Sequence, residues 1–241
     1  MLSKKEAKDI QSLRHKKFRE ETGLFTAEGP KIVSELVQLI PERFEKIYAV
    51  KDWLQQHPVE GIKYEEIDER TLEKISQLQT PNEVIAVLRQ FKPEVPSASD
   101  QLCLYLDTIQ DPGNLGTIIR IADWFGIKDI ICSEGCADRY NPKVVQSTMA
   151  SIARVNVYYD HDLQWLKNEQ APKYAAALNG TSLYDCGKAG NGVLIIGNES
   201  KGISPEAMQL ATQKITIPRR GEAESLNAAV ATGIILSHLV G

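Results

Sequence analysis

The chain has 241 residues, 42% of them apolar, and a formal net charge of −4. That is enough for one large or two small domains, it contains no apolar run near the ~20 residues of a membrane helix, and its overall charge does not mark a nucleic-acid binder. The charged start Met1-Leu-Ser-Lys-Lys-Glu leads into no apolar segment, so no secretory leader is expected; Cys103, Cys132, Cys136 and Cys186 form no C-x-x-C pair, which points to free thiols in a reducing cytoplasm and to no metal site.

Lys4–Lys17 reads as a helix, with Ile10 and Leu13 on one side. Lys4, Lys5, Lys8, Arg14, Lys16, Lys17 and Arg19 are opposed there only by Glu6 and Asp9. Such a cluster is either a solvated helix face or a phosphate-contacting patch. Phe25-Thr-Ala-Glu-Gly-Pro reads as a turn into a helix over Lys31–Ile40, where Ile32, Val33, Leu36 and Leu39 recur at helical spacing. Phe44–Val50, Ile62–Ile67 and Val84–Leu88 read as strands, with helices at Asp52–Gln56 and Thr71–Gln77. This α/β module spans residues 1–91. Residues 92–100, with two prolines, two serines and no periodicity, read as a linker.

A second domain, residues 101–241, opens with the strand Leu102–Leu106 and the polar loop Asp107–Gly116. Asn114 or Thr117 is the expected cap of a helix over Thr117–Phe125. Strands follow at Asp129–Cys132, Val155–Tyr159 and Tyr174–Leu178, with helices at Pro142–Ala150 and Asp162–Lys167. The last fifty residues repeat one pattern twice. Val193–Ile196 and Ile215–Ile217 are short apolar runs closed by Gly197 and Pro218, each followed by a polar loop and a helix. Alternating strands and helices imply a parallel sheet covered on both faces. Ligands of such sheets sit at the carboxyl ends of the strands, so two polar loops leaving neighbouring strands would build one pocket.

The standard motifs of other enzyme classes are missing. There is no G-x-G-x-x-G fingerprint after the first strand of the second domain, no phosphate-binding P-loop and no G-x-S-x-G elbow. His15, His57, His161 and His238 are scattered without an evident acid partner. What remains is a set of polar residues at strand ends: Asn114, Arg120, Asn198, Glu199, Ser225 and Asn227. Arg120 lies among apolar neighbours and is either a snorkelling arginine paired with Asp123 or a functional group. Asn198 and Glu199 also suit a turn, and Ser225 and Asn227 the cap of a final helix. Capping and ligand binding are compatible, because a helix N-terminus presents free N–H groups.

Three stretches, Asp111-Pro-Gly-Asn-Leu-Gly-Thr-Ile-Ile-Arg120, Ile195-Ile-Gly-Asn-Glu-Ser-Lys-Gly202 and Ile217-Pro-Arg-Arg-Gly-Glu-Ala-Glu-Ser-Leu-Asn227, resemble in order the motifs of the SpoU (TrmH-like) family of RNA 2′-O-ribose methyltransferases, which belongs to the knotted SPOUT class. Residues 3–90, with Ile10-Gln-Ser-Leu-Arg14 and Phe25-Thr-Ala-Glu-Gly29, resemble the family's L30e-like substrate-binding domain. Ser200 stands where the family usually has Gly, and Arg219 where it usually has Met.

The resemblance implies an α/β fold with a C-terminal trefoil knot, S-adenosyl-L-methionine as cofactor, and a homodimer built from the knot and the final helix. It implies cofactor contacts from Gly197, Ile217 and Leu226, with Leu178, Gly180, Asn198, Gly202 and Pro218 nearby. Arg120 matches the family's catalytic arginine. An arginine is effectively never deprotonated, so its expected task is to clamp the neighbouring phosphate and steady the developing alkoxide. Asn114 and Glu199 would orient the nucleotide or Arg120, and Ser225 and Asn227 would complete the pocket. The implied substrate is ribosomal RNA of the large subunit, 23S rRNA, in the cytoplasm. Competing readings are a tRNA methyltransferase, a catalytically silent RNA-binding member of the fold, and a methyltransferase acting on a small molecule or protein.

Overall fold

The computed structural model describes residues 2–240; Met1 and Gly241, the outer limits of the two expected domains, lie outside the described residues. The chain divides into two compact units, residues 1–92 with 138–153, and residues 93–137 with 154–241.

The first unit runs α1 (Lys4–Ser12), α2 (Lys16–Thr22), β1 (Leu24–Glu28), α3 (Pro30–Leu39), β2 (Phe44–Ala49), α4 (Lys51–Gln56), β3 (Tyr64–Glu66), α5 (Glu69–Ile75) and β4 (Val84–Arg89). Its sheet has the order β1-β4-β2-β3. β1 and β2 flank β4 antiparallel, and β3 joins β2 in parallel. Two expectations change here. The single helix over Lys4–Lys17 is two helices, broken after Leu13. The segment beginning at Phe25 is a strand and not a turn. Thr26 and Glu28 disguise it, because both are polar and both are buried. The Glu28 carboxylate is accommodated by bonds from Ser76 Oγ at 2.6 Å and Gln77 N–H at 2.9 Å, and burial raises its pKa.

Arg19 leaves the expected basic cluster. It is 2% exposed, donates to Leu13 O and pairs with Asp138 Oδ2 at 2.5 Å. Lys4, Lys5, Lys8, Arg14, Lys16 and Lys17 are exposed. By its place in the chain α7 (Pro142–Thr148) follows the second domain's strands, yet its Val145, with Tyr140 and Ile152, packs into the same core as Phe25, Leu36 and Trp53.

The second unit contains β5 (Leu102–Asp107), α6 (Pro112–Trp124), β6 (Asp129–Ser133), β7 (Asn156–Asp160), α8 (Gln164–Asn168), β8 (Lys173–Ser182), β9 (Gly192–Gly197), α9 (Pro205–Gln209), β10 (Gln213–Thr216) and α10 (Ala228–Leu239). Its sheet has the order β10-β8-β9-β5-β6-β7 and every pairing is parallel. β5 and β9 are buried along nearly their whole length, as central strands covered on both faces must be. The stretch before β5 is fastened to this unit. Ala98 is fully buried, its N–H donates to Glu169 Oε2, and Pro96 O accepts from Trp165 Nε1.

α6 starts five residues before the expected Thr117. Its cap is Asp111, whose Oδ1 accepts the Asn114 N–H at 2.8 Å. Pro112 occupies the first turn, where the missing N–H costs nothing. Asn227 caps α10 through Ala229 and Val230 N–H, and Ser225 does not.

Candidate functional site at the strand ends

The carboxyl ends of β5, β9 and β10 bring the three motifs into one region of the second unit. The loop after β5 carries Asn114 into the first turn of α6. The loop after β9 carries Asn198 and Glu199. The approach to α10 carries Asn227.

Side chains from all three form a closed network. Glu199 Oε1 accepts from Asn114 Nδ2 at 2.8 Å, from Asn227 Nδ2 at 2.6 Å and from the Ala228 N–H at 3.1 Å. Asn227 Nδ2 also donates to Asn114 Oδ1 at 2.9 Å. One carboxylate oxygen therefore gathers two side-chain amides and one of the free N–H groups at the start of α10. Asn198 shapes the loop beneath. Its Nδ2 donates to Thr108 O at 2.9 Å, and its Oδ1 accepts the Ser200 and Lys201 N–H groups. A pocket of about 90 Å³ lies here, lined by Ile109, Gln110, Asp111, Asn114, Asn198, Glu199 and Ser200. Drug-sized ligands need roughly 300 Å³ or more, so this pocket takes one group of a ligand, not a whole cofactor.

The expected cofactor residues lie along the neighbouring edges. Ala175 pairs with Lys214 and Thr181 with Ile215, so the chain between Ala175 and Thr181 bulges out of the ladder and carries Leu178 and Gly180 with it. Thr216 Oγ1 donates to Leu178 O, tying this bulge to the end of β10, where Ile217 and Pro218 follow. Leu178 is 78% exposed and Leu226 45%. Two of the glycines are also required by the packing of the chain on itself. A Cβ on Gly197 would lie 2.3 Å from the carbonyl carbon of Gly202, and one on Gly180 would lie 2.6 Å from that of Lys214. Both glycines let two protein segments touch. Gly202 has φ +69°, a left-handed conformation that favours glycine, and it bridges back to Asn198.

Arg120 stands apart from this network, six residues and about 9 Å of helical rise from Asn114. It is exposed, and its guanidinium takes no partner among the described residues. The pairing with Asp123 is not formed; Asp123 is held instead by Arg154 at 2.8 Å. Ser225 is exposed, three residues before α10, and does not enter the network. Ser200 and Arg219 are exposed too; Ser200 sits in the Asn198 turn, and Arg219 Nη1 reaches Ala223 O.

Of the histidines, His161 does have an acid partner, Glu134 Oε1 at 2.5 Å, which raises its pKa, but the pair is on the surface. Among the described residues no cluster of His, Cys, Asp and Glu suits a metal, and no helix is long and apolar enough to cross a membrane. Sequence reasoning missed a wider cleft of about 590 Å³ in the first unit, beside Glu28, Lys31, Ser34 and His57. It also missed Asp107, a buried carboxylate at the end of β5. A polar residue closing an apolar strand was the available signal for Asp107.

Comparisons with known proteins agree with this arrangement. Residues 101–237 match the SpoU rRNA Methylase family, and residues 4–86 match an MRM3-like substrate binding domain. The 23S rRNA (guanosine-2′-O)-methyltransferase RlmP of Bacillus subtilis is 32% identical over 97% of this chain and 95% of its own length. A TrmH-family protein from Porphyromonas gingivalis superposes with a TM-score of 0.88 at 35% identity, covering 99% of this chain and 98% of that one. The AdoMet-bound rRNA methyltransferase of Sinorhizobium meliloti gives 0.86 at 29% identity, covering 99% and 96%. With both halves of the chain matched and the motifs meeting at the strand ends, this chain belongs to the SpoU rRNA methylase family.

Proposed function

We propose that this protein is an S-adenosylmethionine-dependent RNA methyltransferase that methylates a ribose 2′-hydroxyl of 23S ribosomal RNA. The observation that carries the reading is the closed contact of Asn114, Glu199 and Asn227, one residue from each motif. The substrate follows from the relatives, since RlmP is named for ribose methylation of 23S rRNA and the N-terminal half matches a substrate binding domain.

The residues present suit the cofactor. Leu178, in the β8 bulge tied to Thr216 at the end of β10, and Leu226, on the approach to α10, hold apolar side chains out to solvent, the kind of surface an adenine ring packs on. Gly197, Ile217 and Leu226 would hold it, with Gly180, Asn198, Gly202 and Pro218 fixing the loops around it. When bound, S-adenosylmethionine supplies a methyl group already activated by its sulfonium.

The chain's own residues position the acceptor. Asn114 and Glu199 orient the ribose within the small pocket. Asn227 fixes Glu199, and Ser225 completes the wall. Arg120, with a free guanidinium, binds the adjacent phosphate and steadies the alkoxide as it forms; that phosphate can take the proton. Most of the acceleration is then positioning, worth up to ~7–11 kcal/mol, with electrostatic stabilisation added.

In this reading residues 1–91 bind the RNA, 92–100 link, and 101–241 form the catalytic domain with a deep trefoil knot. The close crossings at Gly197 and Gly180 suit such a knot. The enzyme is a homodimer in the cytoplasm. Val230 of α10, Val240 just after that helix and Trp124 of α6, at 51%, 41% and 84% exposed, offer the apolar surface a second copy would cover.

The test is transfer of labelled methyl from S-adenosylmethionine to total RNA from a strain lacking the gene. Label in 23S rRNA at one alkali-resistant linkage supports the reading. Label in tRNA alone keeps the chemistry and overturns the substrate.

A further inference from the structure

Thr108 is an unusual residue for its place. Its φ is +61°, and it is the only β-branched residue with positive φ among the described residues. A β-branched side chain in the left-handed region is strained, and such strain persists only where the surroundings over-determine it. Here they do. The Thr108 N–H donates to Ser133 Oγ at 2.9 Å. Its carbonyl accepts from Asn198 Nδ2 at 2.9 Å. Its hydroxyl donates to Asp107 Oδ1 at 3.0 Å. The other oxygen of Asp107 accepts the Ser204 N–H at 2.7 Å, beyond the Glu199 loop. Gly135 leaves room for the Thr108 methyl, since a Cβ there would lie 2.9 Å from it. The next amide, Ile109 N–H, donates to Cys136 Sγ at 3.3 Å.

These bonds join three strand ends. Asp107 closes β5 and faces Gly197 of β9 in the ladder, while Ser133 closes β6. The segment Thr108–Asp111 is therefore fixed from below by β6 and from the side by the β9 loop. It leads directly to Asn114, whose amide must meet Glu199.

We propose that Ser133 and Asp107 are positioning residues for methyl transfer: acting through the strained Thr108, they set the β5–α6 loop so that Asn114 and Glu199 meet in register. Neither lines the small pocket. The inference rests on the reading of the site as a methyltransferase centre. Ser133 is its more decisive half, because it lies outside all three motifs and on a different strand from the network it steers. Removing its hydroxyl leaves the Thr108 N–H without an acceptor and lets the strained residue relax.

The experiment compares wild type, Ser133→Ala and Ser133→Thr in two measurements. One is steady-state methyl transfer to RNA. The other is hydrogen–deuterium exchange of the peptide spanning residues 107–114. Expected for Ser133→Ala is a kcat lower by on the order of tenfold, with KM for S-adenosylmethionine and RNA within about twofold of wild type, because misplacement of a catalytic constellation is paid in the rate. Exchange in the 107–114 peptide rises while peptides of β5 and β9 stay protected. Ser133→Thr, which keeps the hydroxyl, restores both. A wild-type kcat in Ser133→Ala beside an active wild type overturns the proposal and leaves the function standing. So does a loss that Ser133→Thr shares, or one that appears equally in KM and in protection across the sheet. An inactive wild type overturns the function and this inference with it.

Discussion

The Glu199 carboxylate accepts the side-chain amide of Asn227 at 2.6 Å, across 28 residues of sequence and at the very start of α10. The same oxygen holds Asn114, 85 residues away. Glu199→Ala leaves both amides and the Ala228 N–H without this acceptor. Because the group is exposed, water replaces much of what is lost, and the stability cost is about 1 kcal/mol. Turnover should fall far more, by roughly 100-fold. Thermal melts alongside methyl-transfer rates check the contrast; equal, small losses in both would reduce Glu199 to a loop brace.

Gly197→Ala places a methyl 2.3 Å from the backbone of Gly202, and backbone cannot swing aside as a side chain can. The expected loss is about 3 kcal/mol or more, read as a lower denaturant midpoint or a failure to recover folded protein. Gly187→Ala, where nothing lies within 4 Å of the added carbon, serves as the tolerated control.

Much of this was legible beforehand, and the failures have physical causes. Val193–Ile196 showed itself as a strand because a central parallel strand is apolar throughout. β1 did not, because Glu28 is buried by virtue of two specific hydrogen bonds that no pattern announces. Asn114, Glu199 and Asn227 could be picked out as polar residues at strand ends, but not their mutual contact, which depends on loop geometry. Arg19 counted as surface charge in composition, and only its bond to Asp138 removes it. Thr108 left no trace in the sequence, since a positive φ is invisible there.

The buried Glu28 makes a pH prediction. Desolvation raises its folded-state pKa above the ordinary value. The folded protein then binds this proton more tightly than the unfolded chain, so Glu28 favours folding at low pH and costs stability as pH rises through its folded pKa. Glu28→Gln should melt above wild type at pH 8, with the Ser76 hydroxyl reversing its role, and the gap should close toward pH 4. Melting curves of the two proteins across that range decide it; a gap that widens on acidification contradicts the assignment.

Val230 is 51% exposed on α10, a helix whose buried face carries Ala229, Thr232, Ile235 and Leu236. If a second copy covers it, Val230→Glu should convert dimer to monomer in sedimentation and lower methyl transfer with it. The helix itself should hold, because the changed position faces outward.

Methyl transfer to 23S rRNA by wild type and Arg120→Ala, with S-adenosylmethionine affinity measured on both by calorimetry, decides whether Arg120 acts in the transfer step. Arg120 has no partner among the described residues, so its removal should leave the fold and the cofactor affinity intact. Turnover should fall by at least ~100-fold at unchanged cofactor affinity. Turnover within twofold of wild type, or turnover and cofactor affinity lost together, would contradict that role for Arg120.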